Sequence, residues 1–251
     1  MKLRHALWSV LLAVPTWALA IGLQISPTSL QLAASQNADG IWLSNVGETV
    51  ISAQARVFLW TQQDEDDRLA PSTGLIVSPP MLQIPPGGKQ FVRVIRSGPP
   101  PAAETAYRVI IDELPVEAPP AEGAAPSARP PSQKQMGLSF VMRYSLPVFL
   151  AGEAAAAPQL AWSVRKSATQ WQLQVRNTGS SRARIADVQA VLADGSRATL
   201  HGGLLGYALA GQTMHWNLPA PAPAIRQPVT GYEALVNYEV MPLHATDSAQ
   251  P

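Results

Sequence analysis

Apolar and polar residues alternate along most of the chain after residue 20. Successive side chains of a β-strand point to opposite faces, so a period of two predicts strands with one buried face. In the first 150 residues such runs lie at 23–32, 41–43, 53–60, 78–88, 90–96, 107–114 and 136–150. Seven short runs separated by turn residues predict an immunoglobulin-like sandwich of antiparallel strands over residues 21–150.

A second group of apolar runs follows an Ala/Pro-rich junction at residues 151–158. These runs lie at 160–164, 171–175, 185–192, 214–218 and 232–240. Such a junction indicates a domain boundary. The pattern therefore predicts an all-β protein with a second, smaller β-sandwich domain over residues 151–251.

Residues 115–135 are rich in proline and alanine and contain no core-forming side chain after Val116. Segments of this composition cannot pack, so we predict a mobile loop that leads directly into the strand at 136–150. A structureless loop of this length is unusual in a compact domain unless it has a function.

The composition supports strands and limits the chemistry. With 24 prolines and 17 glycines in 251 residues, the chain is a poor helix former. Hydrophobic residues make up 47% and charged residues 14%, which is too apolar for a disordered chain. Cysteine is absent, so neither disulfides nor thiolates are available. In an exported protein this absence fits the bacterial periplasm better than an animal extracellular space.

The first twenty residues have the pattern of a signal peptide. Lys2 and Arg4 precede an apolar run at 6–14, and Ala-Leu-Ala at 18–20 is a small-x-small cleavage site. An uncleaved membrane anchor is the alternative, but the run is shorter than the ~20 residues that span a bilayer. We therefore predict export to the periplasm without stable membrane insertion. Acidic and basic residues nearly balance in the remaining chain, so nucleic acid is not an expected partner.

The sequence contains no recognisable catalytic or metal-binding motif. His201, His215 and His244 follow no metal-ligand spacing, and no cysteine is present to complete a zinc site. The glycines at 202–206 and the four acids at 64–67 are interpreted as turns. We therefore predict that the protein is not an enzyme and needs no metal or cofactor.

Three blocks of the sequence carry a family resemblance. The first, 78–94, contains Ser-Pro-Pro and Ile-Pro-Pro-Gly-Gly-Lys-Gln. The second, 104–115, ends in Arg-Val-Ile-Ile-Asp-Glu-Leu-Pro, and the third is 136–150. They resemble the first domain of the periplasmic pilus-assembly chaperones of the chaperone-usher pathway. The second block is more similar to the archaic branch than to the branch that serves P-type and type 1 pili. The resemblance implies two immunoglobulin-like domains in a boomerang arrangement. It also implies a chaperone that binds pilin subunits and delivers them to an outer-membrane usher.

The resemblance further implies donor-strand complementation, in which the chaperone lends residues 136–150 to a subunit that lacks a strand. Met136, Leu138, Phe140 and Met142 lie two residues apart in this segment and share one face. That face can fill a row of apolar pockets in a subunit. Without the resemblance, the same pattern is more usual for the inward face of a sandwich strand.

In the family, two basic residues at the interdomain cleft hold the subunit's C-terminal carboxylate. The corresponding positions here are Ser29 and Ser145, which offer only neutral hydrogen bonds. Arg143, Arg93 and Arg108 are candidates to replace them, and Arg143 comes first because it is nearest in sequence. A solvated surface arginine is an equally good interpretation of Arg143.

The interdomain ion pairs of the family are also incomplete in this sequence. Glu104 stands at the acidic position, but Phe149 replaces the expected arginine. We therefore expect the domains to be held by packing of Phe149 and Pro147.

Two other functions remain open at this point. A secreted carbohydrate-binding module would line one sheet with exposed aromatics, for which the candidates are Trp42, Trp60, Trp162, Trp171 and Trp216. Aromatic residues on alternating strands are more often buried. A secreted hydrolase is disfavoured because no nucleophile and base are arranged together.

Overall fold

The computed structural model describes residues 22–115, 141–154, 156–166, 170–219, 228–243 and 246–247. The predicted signal peptide and residues 116–135 of the predicted loop lie outside this part of the chain. Every regular element within it is a β-strand, and the strands form two immunoglobulin-like sandwiches, which confirms the predicted fold class. The described residues include no helix that could cross a membrane.

The first ten strands form the first sandwich. They are β1 (Leu23–Ser26), β2 (Leu30–Leu32), β3 (Ala38–Asn45), β4 (Ile51–Gln63), β5 (Asp66–Pro71), β6 (Leu75–Ser78), β7 (Met81–Ile84), β8 (Lys89–Arg96), β9 (Thr105–Leu114) and β10 (Arg143–Leu150). One sheet has the order β1-β3-β8-β6. The other has the order β2-β10-β9-β4-β5, and β7 also pairs with β4.

The period-two pattern accounts for the core between these sheets. In β8, Val92 and Val94 are fully buried, whereas Phe91 and Arg93 lie on the outer face. The same alternation in β9 buries Val109 and Ile111. At about 25 cal/mol per Å² of apolar area removed from water, such inward rows supply most of the drive for folding.

The predicted first run at 23–32 divides between the two sheets. β1 pairs antiparallel with β3 in one sheet, and β2 pairs parallel with β10 in the other. Pro27 lies at the change of sheet, where its missing N–H prevents a continuous ladder. The chain thus joins both sheets before it reaches β3.

The second sandwich contains the remaining eight strands. They are β11 (Leu160–Lys166), β12 (Gln170–Asn177), β13 (Ala183–Leu192), β14 (Arg197–Ala208), β15 (Thr213–Pro219), β16 (Val229–Val236), β17 (Glu239–Leu243) and β18 (Thr246–Asp247). Its sheets have the orders β15-β12-β11-β18 and β14-β13-β16-β17. Trp162, Leu173, Ile185 and Leu218 lie in the core between them.

Each domain contains one fully buried asparagine at the start of an Asn-x-Gly turn. The amide nitrogen of Asn45 donates to the carbonyls of Thr49 and Ile84, and its side-chain oxygen accepts from the Gly47 N–H. Asn177 donates to the carbonyls of Ser181 and Ala208 and accepts from Gly179. Because buried polar groups must be paired, each asparagine fixes the turn beside it.

The structure corrects both turns interpreted from composition. Only Asp64 and Glu65 form a turn, with φ angles of 52° and 68°, and the next two acids begin β5. The glycines at 202–206 lie within β14 rather than in a turn. There the Gly203 N–H donates to the Asp187 carboxylate at 2.6 Å, and the pairing of β13 with β14 is irregular.

Candidate functional site

The two edges of β10 have different partners. β10 pairs with β9 along its whole length, but β2 covers its other edge only at Val148–Leu150. In the described part of the chain no strand pairs with that edge between Arg143 and Pro147. This stretch is therefore an open sheet edge.

The hydrogen bonds at both ends of β10 show which backbone groups face which edge. The Glu113 N–H donates to the Met142 carbonyl, so even-numbered residues face β9. The Ala151 N–H donates to the Leu32 carbonyl, so odd-numbered residues face the other edge. The odd-numbered residues from Arg143 onward therefore present their backbone groups at the open edge.

Arg143 and Ser145 each offer one N–H donor and one C=O acceptor at this edge. An unpaired row of this kind is a template for another strand. The third odd-numbered residue, Pro147, has no N–H. The open edge therefore supports strand addition at two residues and weakens it at the third.

A carboxylate with two arginines lies beside the open edge. Asp112, on β9, accepts hydrogen bonds from Arg143 and, at 2.5 Å, from Arg56 on β4. Burial raises the pKa of Asp112, but the hydrogen bonds and charges of the two arginines outweigh it, so the pKa lies below its ordinary value. The cluster carries one net positive charge, and the Arg143 side chain is 68% exposed.

The opposite face of the same segment is also fixed. The Tyr144 hydroxyl donates to the Leu23 carbonyl at 2.9 Å, which joins β10 to the other sheet. The Met142 N–H lies 3.4 Å from the Glu113 carboxylate. Burial, and next the charge of Glu113, raise the pKa of Tyr144, so the hydroxyl remains a donor. The start of β10 is thus held on both faces.

The predicted donor strand is described only in its later part. Met136, Leu138 and Phe140 lie outside the described residues. Met142 is 48% exposed and lies just before β10. An exposed apolar side chain at this point is consistent with a face that packs against a partner.

The other basic candidates differ in position: Arg93 lies on the opposite sheet, whereas Arg108 lies opposite Pro147 of β10 but has other side-chain partners. Arg93 lies on the outer face of the opposite sheet. Arg108 stacks on the Trp60 ring, 3.7 Å from its centroid, and lies 3.8 Å from Asp67. Burial lowers the pKa of Arg108 despite that nearby carboxylate. Arg143 is therefore the candidate whose guanidinium is exposed beside the open edge.

The two predicted serines lie at the same end of the sheet. Ser145 is exposed on β10, and Ser29 is exposed directly before β2. Because Leu30 pairs with Val148, both serines flank the point where β2 takes over the edge. They lie close to each other, as the resemblance implies for the two anchor positions.

The domains are joined by an ion pair that the sequence analysis missed. Arg182, from the second domain, pairs with Glu104, and its guanidinium lies 3.6 Å from the centroid of the Phe149 ring. Arg182 also donates to the Gln31 side chain at 2.9 Å. The expectation of packing alone is therefore wrong, because the second domain supplies the arginine that position 149 lacks. Only the structure could reveal a partner 78 residues away.

Packing contributes as well. Trp60, Phe149 and Ala106 of the first domain form a buried cluster with Leu209 and Tyr207 of the second. Aromatic contacts in such clusters contribute about 0.5–1.5 kcal/mol each beyond area burial.

Gln62 forms two hydrogen bonds across this junction. It accepts from the Leu209 N–H at 2.9 Å and donates to the Tyr207 carbonyl at 2.8 Å. The downstream end of β10 therefore lies on a fixed interdomain junction.

The five candidate tryptophans, all within the described residues, do not form a carbohydrate-binding face. Trp60, Trp162 and Trp171 are buried, and Trp216 packs against the second core. Trp42 is exposed, but its ring is tilted by 51° against Phe91, so the two rings form no flat platform.

Residues 22–154 match the family described as "Pili and flagellar-assembly chaperone, PapD N-terminal domain". The chain belongs to this family of pilus-assembly chaperones. The match covers the whole first domain, including β10 and its open edge. No curated protein sequence matches the chain.

Solved structures extend the similarity over both domains. One is the CsuC–CsuE chaperone-tip adhesion subunit pre-assembly complex from archaic chaperone-usher Csu pili of Acinetobacter baumannii. Its matched chain is 25% identical to this chain with a TM-score of 0.65, and the match covers 90% of this chain and 100% of that chain. The Salmonella enterica SafB chaperone, solved with the SafA pilin, is 18% identical with a TM-score of 0.58, covering 88% and 94%. The E. coli chaperone DraB is 12% identical with a TM-score of 0.57, covering 90% and 97%. The last two show the shared fold.

Proposed function

We propose that this protein is a periplasmic chaperone that binds pilus subunits by donor-strand complementation and delivers them to an outer-membrane usher. The observation that carries this proposal is the open edge of β10, which follows directly in sequence on the predicted apolar face at Met136, Leu138, Phe140 and Met142. The family and its solved complexes with subunits support it. The 25% identity to an archaic chaperone supports assignment to that branch.

A subunit that lacks a strand exposes both a hydrophobic groove and unpaired backbone groups. β10 offers the matching groups, because its edge supplies backbone hydrogen bonds and the preceding segment supplies apolar side chains. The rigid attachment of β10 to β9 lowers the entropy lost on binding.

Arg143 is the proposed anchor for the subunit's C-terminal carboxylate. Its guanidinium is largely exposed, and one nitrogen, Nε, is engaged by Asp112. The planar guanidinium has further donors that suit a second carboxylate. Arg56 lies in the same cluster and adds to its positive charge.

The test is co-expression with a pilin and recovery of the complex. Phe140→Glu should leave the chaperone folded but abolish the complex, because an unpaired carboxylate is costly in an apolar pocket. Val141→Glu is the matched control, since residue 141 belongs to the other face of the predicted strand and is exposed. Normal recovery of the complex with Phe140→Glu would contradict the donor-strand proposal.

A further inference from the structure

Glu113 lies at the end of the first sandwich where β1 begins, β9 ends and β10 begins. Its side chain continues the inward row of Val109 and Ile111 on β9, because side chains alternate along a strand. Glu113 is half-buried at the rim of the core, opposite the fully buried Ala53 of β4. A carboxylate in such a position needs donors or a cation to offset its lost hydration.

The described residues give this carboxylate only long hydrogen bonds. One oxygen lies 3.4 Å from the Met142 N–H, and the other lies 3.5 Å from the Tyr144 hydroxyl. The hydroxyl has one proton, and its shorter contact, at 2.9 Å, is to the Leu23 carbonyl. The ion pairs of the described residues include none with Glu113. In this part of the chain the carboxylate therefore has no cation partner.

The backbone at the start of β1 comes close to the same carboxylate. A Cβ built on Gly22 would lie 3.9 Å from a Glu113 carboxylate oxygen. Gly22 has a φ of 115°, which favours glycine, so no side chain separates the backbone from the carboxylate. Hydrolysis of the peptide bond after Ala20, which the sequence predicts, makes Ile21 the first residue. Its nitrogen then lies one residue before Gly22, and one residue spans at most about 3.6 Å.

We propose that the α-ammonium group of Ile21, formed when the signal peptide is removed, binds the Glu113 carboxylate. This inference rests on the predicted cleavage site and deepens the proposed chaperone function. An ammonium group supplies three donors to a carboxylate that otherwise has only long hydrogen bonds. Before cleavage the same nitrogen is a neutral amide of the chain, so the ion pair exists only in the processed protein.

The ion pair connects processing to the strand that is proposed to bind subunits. Glu113 contacts the Met142 N–H directly before β10, and Tyr144 joins β10 to β1. A carboxylate held by the terminal ammonium group keeps this N–H in place and orders the start of β10 before a subunit arrives. Less entropy is then lost on binding.

The test measures the reactivity of the terminal amine in chaperone purified from the periplasm, with its first residue identified by mass. Acetylation at pH 7 needs the neutral amine, so the ion pair should slow it about tenfold relative to Glu113→Gln. Glu153→Gln makes the same change at an exposed site beyond the other end of β10 and should leave the rate unchanged. Equal rates in the unsubstituted protein and Glu113→Gln, or a first residue other than Ile21, would overturn the proposal.

An extra alanine between Ala20 and Ile21 keeps every side chain but moves the ammonium group one residue away. Its amine should react as fast as that of Glu113→Gln, and its Met142 amide should exchange hydrogen faster than in the unsubstituted protein. A slow amine or an unchanged Met142 amide would contradict the proposal. Thermal unfolding checks that both variants fold. These measurements use no pilin, so a failure to bind pilin would count against the proposed function alone.

Discussion

The two ends of β10 lie in the same strand but in different environments. From Pro147 to Leu150 the strand is buried, β2 pairs with it from Val148 onward, and Phe149 packs against the second domain. From Arg143 to Ser145 its outer side chains are exposed, and no described strand pairs with one of its backbone edges. The first part is a support and the second is the proposed binding edge.

This difference shows how a rigid sandwich can present an unpaired strand. Open edges usually invite aggregation, and natural proteins limit them with charge, proline or short length. β10 has all three devices, in Arg143, Pro147 and the early arrival of β2. The edge is therefore short and specific rather than generally adhesive.

The largest effect should come from the binding end. Arg143→Ala should weaken subunit capture by about 2 to 5 kcal/mol if its contact with the carboxylate is desolvated, and Ser145→Ala should weaken it much less. Affinity for a pilin, measured with both variants, gives the comparison.

The matched experiment uses a pilin that lacks its C-terminal residue. If Arg143 holds the terminal carboxylate, truncation and Arg143→Ala will be non-additive. If Arg143→Ala and Ser145→Ala lose equal affinity, and each loss adds to the loss from truncation, Arg143 is a solvated surface residue that does not contact the carboxylate.

The supporting end predicts a loss of stability instead of affinity. Arg182→Ala removes the guanidinium that pairs with the buried Glu104 carboxylate, leaves it only the hydrogen bond from the backbone N–H of residue 182, and should lower the free energy of unfolding by about 2 kcal/mol. Arg197→Ala, which breaks the pair between the exposed Arg197 and Glu233, is the control and should cost much less. Similar losses for both variants in denaturant unfolding would mean that the interdomain pair adds nothing special.

The smallest expected effect is the loss of the stability contributed by Asp112 at acidic pH. The pKa of Asp112 is lower in the folded protein than in the unfolded chain, so its contribution to stability is complete above the ordinary pKa and is lost as the pH falls through the folded pKa. The stability difference between the protein and Asp112→Asn should be constant from pH 7 to about 5 and shrink below about pH 4. Unfolding curves at each pH measure it. A difference that persists unchanged to pH 2 would contradict the arginine–carboxylate cluster.

Much of the fold was accessible from the sequence because inward rows such as Val92 and Val94 leave a period-two signal. The pattern could not show that 23–32 divides between two sheets, since both parts bury the same kind of residue. It also missed β5, whose six residues are all exposed and carry no core pattern.

The site was only partly accessible. Arg143 could be named because it lies on the strand that carries the family resemblance. Arg56 and Arg182 could not, because their partners lie 56 and 78 residues away in sequence. A charged residue inside the apolar run at 53–60 was the one available signal for Arg56, and it indicates an outward position without naming a partner.

Residue-resolved amide exchange of β10, with and without bound pilin, tests the difference between its two ends most directly. In the free chaperone the Arg143 and Ser145 amides should exchange fast, while Tyr144, Leu146 and the residues from Val148 onward should be protected. Binding should protect Arg143 and Ser145 and leave the others unchanged. Protection of both amides in the free chaperone, or their continued fast exchange in the complex, would contradict the open edge as the binding site.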